Sequence, residues 1–357
     1  MTSSGRVDGF LFLSFFGVSS ITSISTSSSS SPSSSSLASS NTSSLSSSTS
    51  TSGLLDFLSS NIFSAEDYSA ENQNWGISQA TNKFIYVANN KGLLEFNGAD
   101  WQLYPTPNET IMRSVKCFEN KMYTGFYMDF GFWQKNEFGY LEFTSIVKNS
   151  NIEMLNDEQI WEITELDGWM LFKSLQRIYL YHLKTKSVKI IEATSNITKL
   201  SRVGNIIFFQ ELGKGIFMIE NGVPKLVSEN VILKENRIVE FFLKDNKLFF
   251  LTQKDGFYYL ENNQLKKWDI AANELLSTKT IYSAKLLKNG NIVLGTISSG
   301  FIKLHKNGDI YYQITQGLGL SNNTVLSIFE DVDDNIWLGL DNGINSINLR
   351  SPFKLFV

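Results

Sequence analysis

Histidine and cysteine, the residues that most often carry acid–base and nucleophilic chemistry, are nearly absent from this chain, which has only His182, His305 and Cys117. Histidine is the usual general base at neutral pH, and a cysteine nucleophile needs such a base beside it. No histidine stands in a register related to that of Cys117, and one cysteine excludes both an internal disulfide framework and a zinc site built of cysteines. The sequence therefore favours binding over catalysis, and we expect no catalytic residue, no metal and no cofactor.

Two acidic runs, Asp331–Asp334 and Asp245–Asn246, have the residue types of a calcium loop. They lack the twelve-residue spacing and the closing glutamate of an EF-hand. Aspartate and asparagine also favour turns, because their side chains bond to nearby backbone groups. We interpret both runs as turns.

The overall charge argues against a polyanionic partner. The chain has 31 Lys and Arg against 35 Asp and Glu, a formal net charge of −4, and no long basic run. Direct binding of nucleic acid depends on such a positive patch. We therefore expect no nucleic acid to be bound directly.

The first 64 residues differ in composition from the rest of the chain. Residues 19–52 contain 22 Ser and 5 Thr, so residues 19–64 are predicted to be a disordered segment. Ahead of them, Gly9–Val18 is an apolar run that follows Arg6, which suits a signal peptide over residues 1–18. An ordinary tail or a wrongly assigned start codon are the alternatives, and we expect no membrane-spanning segment.

A repeated unit fills residues 65–357. In each copy an apolar strand and a polar turn precede a strand of the form hydrophobic-aromatic-x-Gly, and a Gly-hydrophobic strand follows. The turn positions of the seven copies are Lys83, Asn120, Gly168, Asn205, Asn246, Gly290 and Asp334. Seven units in 293 residues give about 42 residues each, the length of a four-stranded propeller blade. The predicted fold is all-β, a seven-bladed β-propeller.

The first and last blades have the clearest strands. In blade one we predict strands at 75–79, 84–88, 93–96 and 101–104. In blade seven we predict them at 325–330, 336–339, 344–347 and 353–357. Strands buried between neighbouring blades explain the many large apolar residues, and glycines allow close contact where a Cβ would clash.

The segment Gly317–Ile344 resembles the two-component regulator propeller repeat. Its Gly-Leu-Ser-x-Asn-x-Val start, its Asp-containing turn and its Trp-Leu-Gly-x-x-x-Gly-Ile end match that pattern at eleven positions. The entry Ala70–Tyr104 is similar to the start of the sensor propellers of Bacteroidetes-type hybrid two-component and helix-turn-helix regulators. Asn335 or Asp334 stands where the pattern usually has glycine, and Leu340 replaces threonine.

The resemblance implies a periplasmic or otherwise extracytoplasmic ligand sensor. In that family a further β-sandwich, a membrane helix and a histidine kinase or helix-turn-helix output follow the propeller. Only Ser351–Val357 follows the last repeat here, so the chain is expected to be a truncated gene, a fragment or a stand-alone module. The implied partners are a small molecule, with oligosaccharide as the family-level expectation, and an output domain or partner protein.

Candidate ligand-binding residues follow from where propellers bind small molecules, at the channel mouth where the inner strands begin. Strand registers put Asn74, Trp75, Arg113, Gln159 and Trp161 there. The resemblance adds Asp129, and two polar residues in otherwise apolar strands complete the set, Lys173 and Gln210. For each residue the alternative is a side chain satisfied by a neighbouring blade or by solvent.

Aromatic residues have two possible roles in such a fold. Trp75, Trp161 and Tyr127 could stack on a sugar ring, whereas Trp133 and Trp337 occupy repeat positions that fill the core. Three functions remain open: a non-catalytic ligand sensor, a scaffold that presents one propeller face to a protein, and a propeller lyase or hydrolase. The last needs a cluster of His, Glu and metal at the mouth, and the two histidines lie elsewhere.

Overall fold

The computed structural model of this protein describes residues 60–348. The predicted signal peptide at 1–18 and residues 19–59 of the predicted disordered segment lie outside this range, as do residues 349–357. The described chain forms seven four-stranded antiparallel sheets, each of them one blade, so the predicted seven-bladed β-propeller is confirmed.

The strands follow one another outward in each blade, so that the first strand of a blade is its innermost. The described chain begins with β1 (Ser60–Phe63), which precedes blade one. Blade one contains β2 (Asn74–Gln79), β3 (Ile85–Asn89), β4 (Gly92–Phe96) and β5 (Trp101–Pro105). Blade two contains β6 (Met112–Phe118), β7 (Lys121–Phe126), β8 (Asp129–Lys135) and β9 (Leu141–Ser145), followed by the short helix α1 (Ile146–Asn149).

The middle blades have the same plan. Blade three contains β10 (Glu162–Leu166), β11 (Trp169–Lys173), β12 (Arg177–His182) and β13 (Val188–Glu192). Blade four contains β14 (Ile197–Val203), β15 (Ile206–Glu211), β16 (Gly215–Glu220) and β17 (Val223–Ser228), followed by α2 (Val231–Glu235). Blade five contains β18 (Ile238–Lys244), β19 (Lys247–Thr252), β20 (Phe257–Glu261) and β21 (Gln264–Lys267), followed by α3 (Asn273–Ser277).

The last two blades complete the ring. Blade six contains β22 (Ile281–Leu286), β23 (Ile292–Thr296), β24 (Phe301–Leu304) and β25 (Ile310–Ile314), followed by a 3₁₀ turn at Gln316–Leu318. Blade seven takes β26 (Val325–Glu330), β27 (Asn335–Leu340) and β28 (Ile344–Asn348) from the C-terminal part. Its fourth strand is β1, which pairs antiparallel with β28.

This closing strand corrects the sequence-based assignment. The position predicted for 353–357 is occupied by Ser60–Phe63, which composition alone assigns to the disordered segment. The side chain of Phe63 packs into the core between blades seven and one, with its ring centroid 5.2 Å from that of Phe96 and 5.3 Å from that of Trp101. The two ends of the propeller are therefore joined within one sheet.

The hydrophobic core is divided among the blade interfaces. Each of the seven buried clusters combines residues of two adjacent blades, including one between blade seven and blade one. Strand residues are consequently buried on both faces, as in β3 and β23, where every residue is buried. This explains the continuous apolar runs in the sequence.

Glycines in the second strands let neighbouring blades approach closely. A Cβ on Gly339 would lie 2.3 Å from Ser327 Oγ and 2.4 Å from the carbonyl oxygen of Asn74. The Ser327 hydroxyl donates to that same carbonyl across the junction of blades seven and one, at 3.2 Å. Blade six repeats the arrangement, because Ser283 donates to the Val325 carbonyl at 2.9 Å and opposes Gly295. The repeated glycine thus makes room for an inter-blade hydrogen bond.

Candidate functional site

Six of the seven inner strands begin with an irregular register, and each irregularity leaves one residue unpaired with the second strand. These bulge residues are Trp75, Arg113, Thr198, Val239, Tyr282 and Leu326. A bulge bends its strand and redirects the extra side chain, and bulges are frequent beside functional sites. Because all inner strands begin at the same end of the propeller, these residues form a ring at one mouth of the channel.

Three side chains of this ring region are in mutual contact. The guanidinium carbon of Arg113 lies 4.0 Å from the ring centroid of Trp75 and 4.7 Å from that of Trp161. The two indoles meet edge to face, with centroids 6.1 Å apart. Cation–π contacts of this kind contribute about 2 kcal/mol where water is excluded. We call Trp75, Arg113 and Trp161, which come from blades one, two and three, the Arg113 cluster.

Arg113 has one hydrogen bond and no acidic partner within the described chain. Its Nε donates to Oε1 of Gln159 at 2.9 Å, whereas Nη1 is buried without a hydrogen-bond partner. Burial lowers the pKa of Arg113 to about 10. A cation that is taken from water without a counterion is costly, so this position demands an explanation.

Trp75 is held in place by a relay of hydrogen bonds that reaches blade seven. Its Nε1 donates to Oδ1 of Asn90 at 2.7 Å, and Nδ2 of Asn90 donates to Oε1 of Gln73 at 2.9 Å. Nε2 of Gln73 in turn donates to Oδ1 of Asp341 at 2.6 Å. Oδ1 of Asn90, Oε1 of Gln73 and Oδ1 of Asp341 are each engaged by a protein donor, and the indole orientation is fixed.

Tyr282 faces the same space from blade six. Its side chain is 36% exposed. Burial raises the pKa of Tyr282, the charges of Arg237 and Arg113 lower it, and those of Glu162 and Asp341 raise it, which places two guanidinium groups and two carboxylates within electrostatic reach of this phenol. Arg237 is exposed, just before β18, and its side chain makes no hydrogen bond or ion pair with any residue between 60 and 348.

A chain of alternating charges lines the inner strands of blades three to five. Nζ of Lys199 lies 3.0 Å from Oε1 of Glu162 and 3.2 Å from Oε2 of Glu240. Nζ of Lys173 lies 3.6 Å from Oε2 of Glu162, and the Leu200 amide donates to that oxygen at 2.7 Å. These charges are compensated by one another.

The structure brings together four of the predicted site residues and separates the other four. Trp75, Arg113, Gln159 and Trp161 form one contiguous group at the mouth. Lys173 is 2% exposed and belongs to the charged chain. The remaining three, Asn74, Asp129 and Gln210, are buried.

The buried three have their polar atoms engaged by the protein. Asn74 Nδ2 donates to the Gly343 carbonyl of blade seven at 3.0 Å, and Gln210 Nε2 donates to the carbonyls of Leu233 and Asn236 at 2.6 and 2.8 Å. Asp129 accepts from the hydroxyl of Ser145 at 2.7 Å, and burial raises its pKa. Each therefore fits the alternative of a side chain satisfied within or between blades.

Sequence reasoning missed Tyr282 and Arg237. The signal for Tyr282 was available, because Thr280–Lys285 (TIYSAK) matches Ile111–Lys116 (IMRSVK) and places Tyr282 at the position of Arg113. An aromatic residue in an apolar strand is more simply assigned to the core, which is why the position was overlooked. Arg237 carries no signal beyond its place before an inner strand.

The residues with catalytic potential lie away from the mouth. His182 and His305 sit where third strands end, the opposite end of their blades, beside Trp169 and Tyr311. Burial raises the pKa of the Cys117 thiol to about 12, which disfavours the thiolate. Between residues 60 and 348, no group of three or more His, Cys, Asp or Glu is placed to hold a metal ion.

The two acidic runs are turns, as predicted. The carboxylate of Asp331 accepts from the amides of Asp333 and Asn335 and, at 3.0 Å, from Nε1 of Trp337. Asp334 and Asn246 adopt positive φ in the corresponding turns of blades seven and five. No helix in the described range is long and apolar enough to cross a bilayer.

A separate cavity of about 550 Å³ lies at the outer rim, beside blade three. It is lined by the segment 150–155, by Arg177, and by Val188 and Ile190 of the outermost strand β13. Arg177 is already paired with Glu192 at 2.8 Å. The cavity is remote from the channel, and Arg177, the one lysine or arginine among these lining residues, is already paired.

Comparison with known proteins supports the repeat and the fold. The family model described as two component regulator propeller matches residues 319–342, which span β26 and β27 and confirm the resemblance. Among curated proteins, none matches the chain significantly.

Solved structures with the same fold include the extracellular domains of two putative hybrid two-component systems from B. thetaiotaomicron. They are 17% and 16% identical, with TM-scores of 0.64 and 0.60, and the match covers 83% of this chain but only 40% and 42% of theirs. The virginiamycin B lyase from Staphylococcus aureus is also similar, with 13% identity, a TM-score of 0.62, and coverage of 82% of this chain and 99% of the lyase. At these identities the likeness concerns the fold.

Proposed function

We propose that this chain, whose residues 319–342 match the two component regulator propeller repeat, is a non-catalytic sensor module that binds a small molecule at the channel mouth. The Arg113 cluster carries the proposal, since it combines aromatic surfaces with a guanidinium that lacks an acidic partner among residues 60–348. A binding site typically joins apolar walls to a few convergent polar groups. Oligosaccharides suit such walls, because indole faces stack on sugar rings.

The proposed module acts in signal transduction. Its solved relatives are described as extracellular domains of hybrid two-component systems, which supports an extracytoplasmic location for this propeller. We propose that ligand binding is relayed to an output domain of histidine kinase or helix-turn-helix type. The bulge residues of different blades meet at one mouth, so a bound ligand would bridge several blades and bias their relative packing.

A thermal-shift screen of the full chain tests this function. The library contains neutral oligosaccharides, acidic oligosaccharides and small metabolites. A ligand that binds only the folded state stabilises it by about 2.7 kcal/mol at a hundredfold excess over Kd, so a saturable rise in Tm is expected. Trp161→Ala should abolish the rise. Phe138→Ala should preserve it, because Phe138 is 76% exposed in the β8–β9 hairpin at the opposite end of the blade.

A protein-binding scaffold is the second candidate, and one observation favours it. Phe138 and Tyr140 are 76% and 69% exposed in the same hairpin, and exposed aromatic pairs are typical of protein contact surfaces. A folded full chain that responds to no member of the library would contradict small-molecule sensing and support this candidate. A saturable response that survives Trp161→Ala would instead contradict the proposed location.

A further inference from the structure

We propose that the ligand carries a carboxylate, held by Arg113 and Arg237 at the channel mouth. This inference rests on the proposed function and names the chemical class of the ligand. Arginine suits the task, because its planar fork of N–H donors matches the two oxygens of a carboxylate.

The first argument is the distribution of charge. Glu162 and Glu240 are compensated by Lys173 and Lys199, and the Asp341 carboxylate accepts from Gln73. Arg113 and Arg237 form no ion pair, although the chain as a whole has a net charge of −4. Of the two carboxylates within electrostatic reach of Tyr282, Glu162 is already paired with lysines and Asp341 accepts from a neutral amide. Two unpaired guanidinium groups thus stand against one unpaired carboxylate, so the unpaired charge at the mouth is positive in the free protein.

The second argument is the balance of donors and acceptors. The side-chain oxygens nearest the Arg113 cluster already accept protein hydrogen bonds: Gln159 from Arg113, Asn90 from Trp75, and Asp341 from Gln73. Two guanidinium groups and the phenol of Tyr282 remain as donors. A site rich in free donors selects a ligand rich in acceptors, and an anion is the strongest acceptor.

The third argument is the apolar wall beside the charges. Trp75 and Trp161 are partly exposed and their rings are fixed by the Arg113 contact and, for Trp75, by the relay to Asp341. Tyr282 contributes a third ring from across the mouth. Such surroundings fit a carboxylate that is attached to a ring, and both acidic sugars and aromatic acids share this chemistry.

Matched acid and ester probes test the inference in the full chain. The probes are trigalacturonate, phenylacetate and the methyl ester of each, which removes the charge and keeps the ring. We expect at least one acid to raise Tm saturably and its ester to bind at least tenfold more weakly. Which acid responds distinguishes a sugar from a non-sugar ligand. Added NaCl should weaken the response of the acid, because salt screens the attraction.

Two arginine variants and one control locate the effect. Arg113→Gln and Arg237→Gln should each weaken acid binding tenfold or more. Arg202→Gln should not, because Arg202 is paired with Glu165 near the opposite end of its inner strand. Equal binding of acid and ester, or no response to either acid, would overturn the inference. If neutral oligosaccharides still give a shift that Trp161→Ala abolishes, sensing stands and only the carboxylate is wrong; silence of all probes refutes both.

Discussion

The guanidinium carbon of Arg113 lies 4.0 Å from the centroid of the Trp75 ring, while Nη1 of the same group is buried without a hydrogen-bond partner. The contact joins blades one and two at the point where their inner strands bulge. A residue kept for packing alone would gain more from an aliphatic side chain, which has no charge to desolvate. The arrangement indicates that an unpaired cation is kept at the mouth although it lowers the stability of the fold.

Arg113→Met should therefore leave the free energy of unfolding within about 1 kcal/mol of the parent, or raise it. Methionine retains contact with both indoles and removes the uncompensated charge, which offsets the lost cation–π contact and the Gln159 hydrogen bond. Urea unfolding measures the effect. Asn74→Leu is the contrasting variant and should cost about 2–3 kcal/mol, because it removes the buried hydrogen bonds that the Asn74 amide makes with Asn89 Nδ2 and with the Gly343 carbonyl, and leucine replaces neither. A loss above about 3 kcal/mol for Arg113→Met would show a structural role instead.

Gly339→Ala should destabilise the propeller by about 2–4 kcal/mol, because the new Cβ would meet Ser327 Oγ and the Asn74 carbonyl at the ring closure. Gly317→Ala is the matched control. Gly317 is exposed in the 3₁₀ turn, and a Cβ added there would have Thr315 Oγ1 as its nearest neighbour, 3.9 Å away. The free energy of unfolding of Gly317→Ala should lie within about 0.5 kcal/mol of that of the parent. Similar unfolding midpoints for the two variants would contradict the close-approach argument.

Phe63→Ala tests the closure by β1. The Phe63 ring packs against Phe96 and Trp101 and stacks with Trp337 at 6.1 Å, so its removal should cost about 2 kcal/mol. Ile62→Ala changes the neighbouring residue, which is 53% exposed, and should be nearly neutral. Thermal unfolding compares them. If both variants melt like the parent, the pairing of β1 with β28 does not stabilise the ring.

Repetition explains what could be predicted from the sequence. Turns and glycines recur in each blade because each blade needs them locally. Comparison of the sequence with itself therefore predicts the seven units, the four strands of blade one to within one residue, and three strands of blade seven. The closing strand β1 could not be predicted in this way. Its residue Ser60 pairs with Ile347 at the other end of the described chain, and the four residues of β1 adjoin a serine-rich segment. A chain that began at residue 65 would lack this strand.

The sequence predicts the site only to the extent that strand register does. Polar residues at the start of inner strands, such as Arg113 and Gln159, stand out against apolar blades. Whether such a residue faces the channel or a neighbouring blade depends on contacts between distant segments. Gln210 is fully occupied by backbone groups of residues 233–238, and nothing in its own strand distinguishes it from a channel residue.

Glu162→Gln should reveal the buried charge chain through its pH dependence. Burial raises the pKa of Glu162, but the attraction of Lys173 and Lys199 outweighs it, so the folded-state pKa lies below the ordinary value of 4.5. Stability from this carboxylate is then fully present above pH 4.5 and is lost as pH falls through the lower, folded-state pKa.

At pH 7 the glutamine variant leaves Lys173 buried without its anion and should lose about 3 kcal/mol of unfolding free energy. The difference in unfolding free energy between the parent and Glu162→Gln should become smaller as pH falls below 4.5. Urea unfolding midpoints at several pH values measure this difference. Glu192→Gln, in a pair where Glu192 is 67% exposed, should cost less than about 1 kcal/mol at every pH. If the difference in unfolding free energy between the parent and Glu162→Gln does not change with pH, the carboxylate stabilises the protein through its shape and not through its charge.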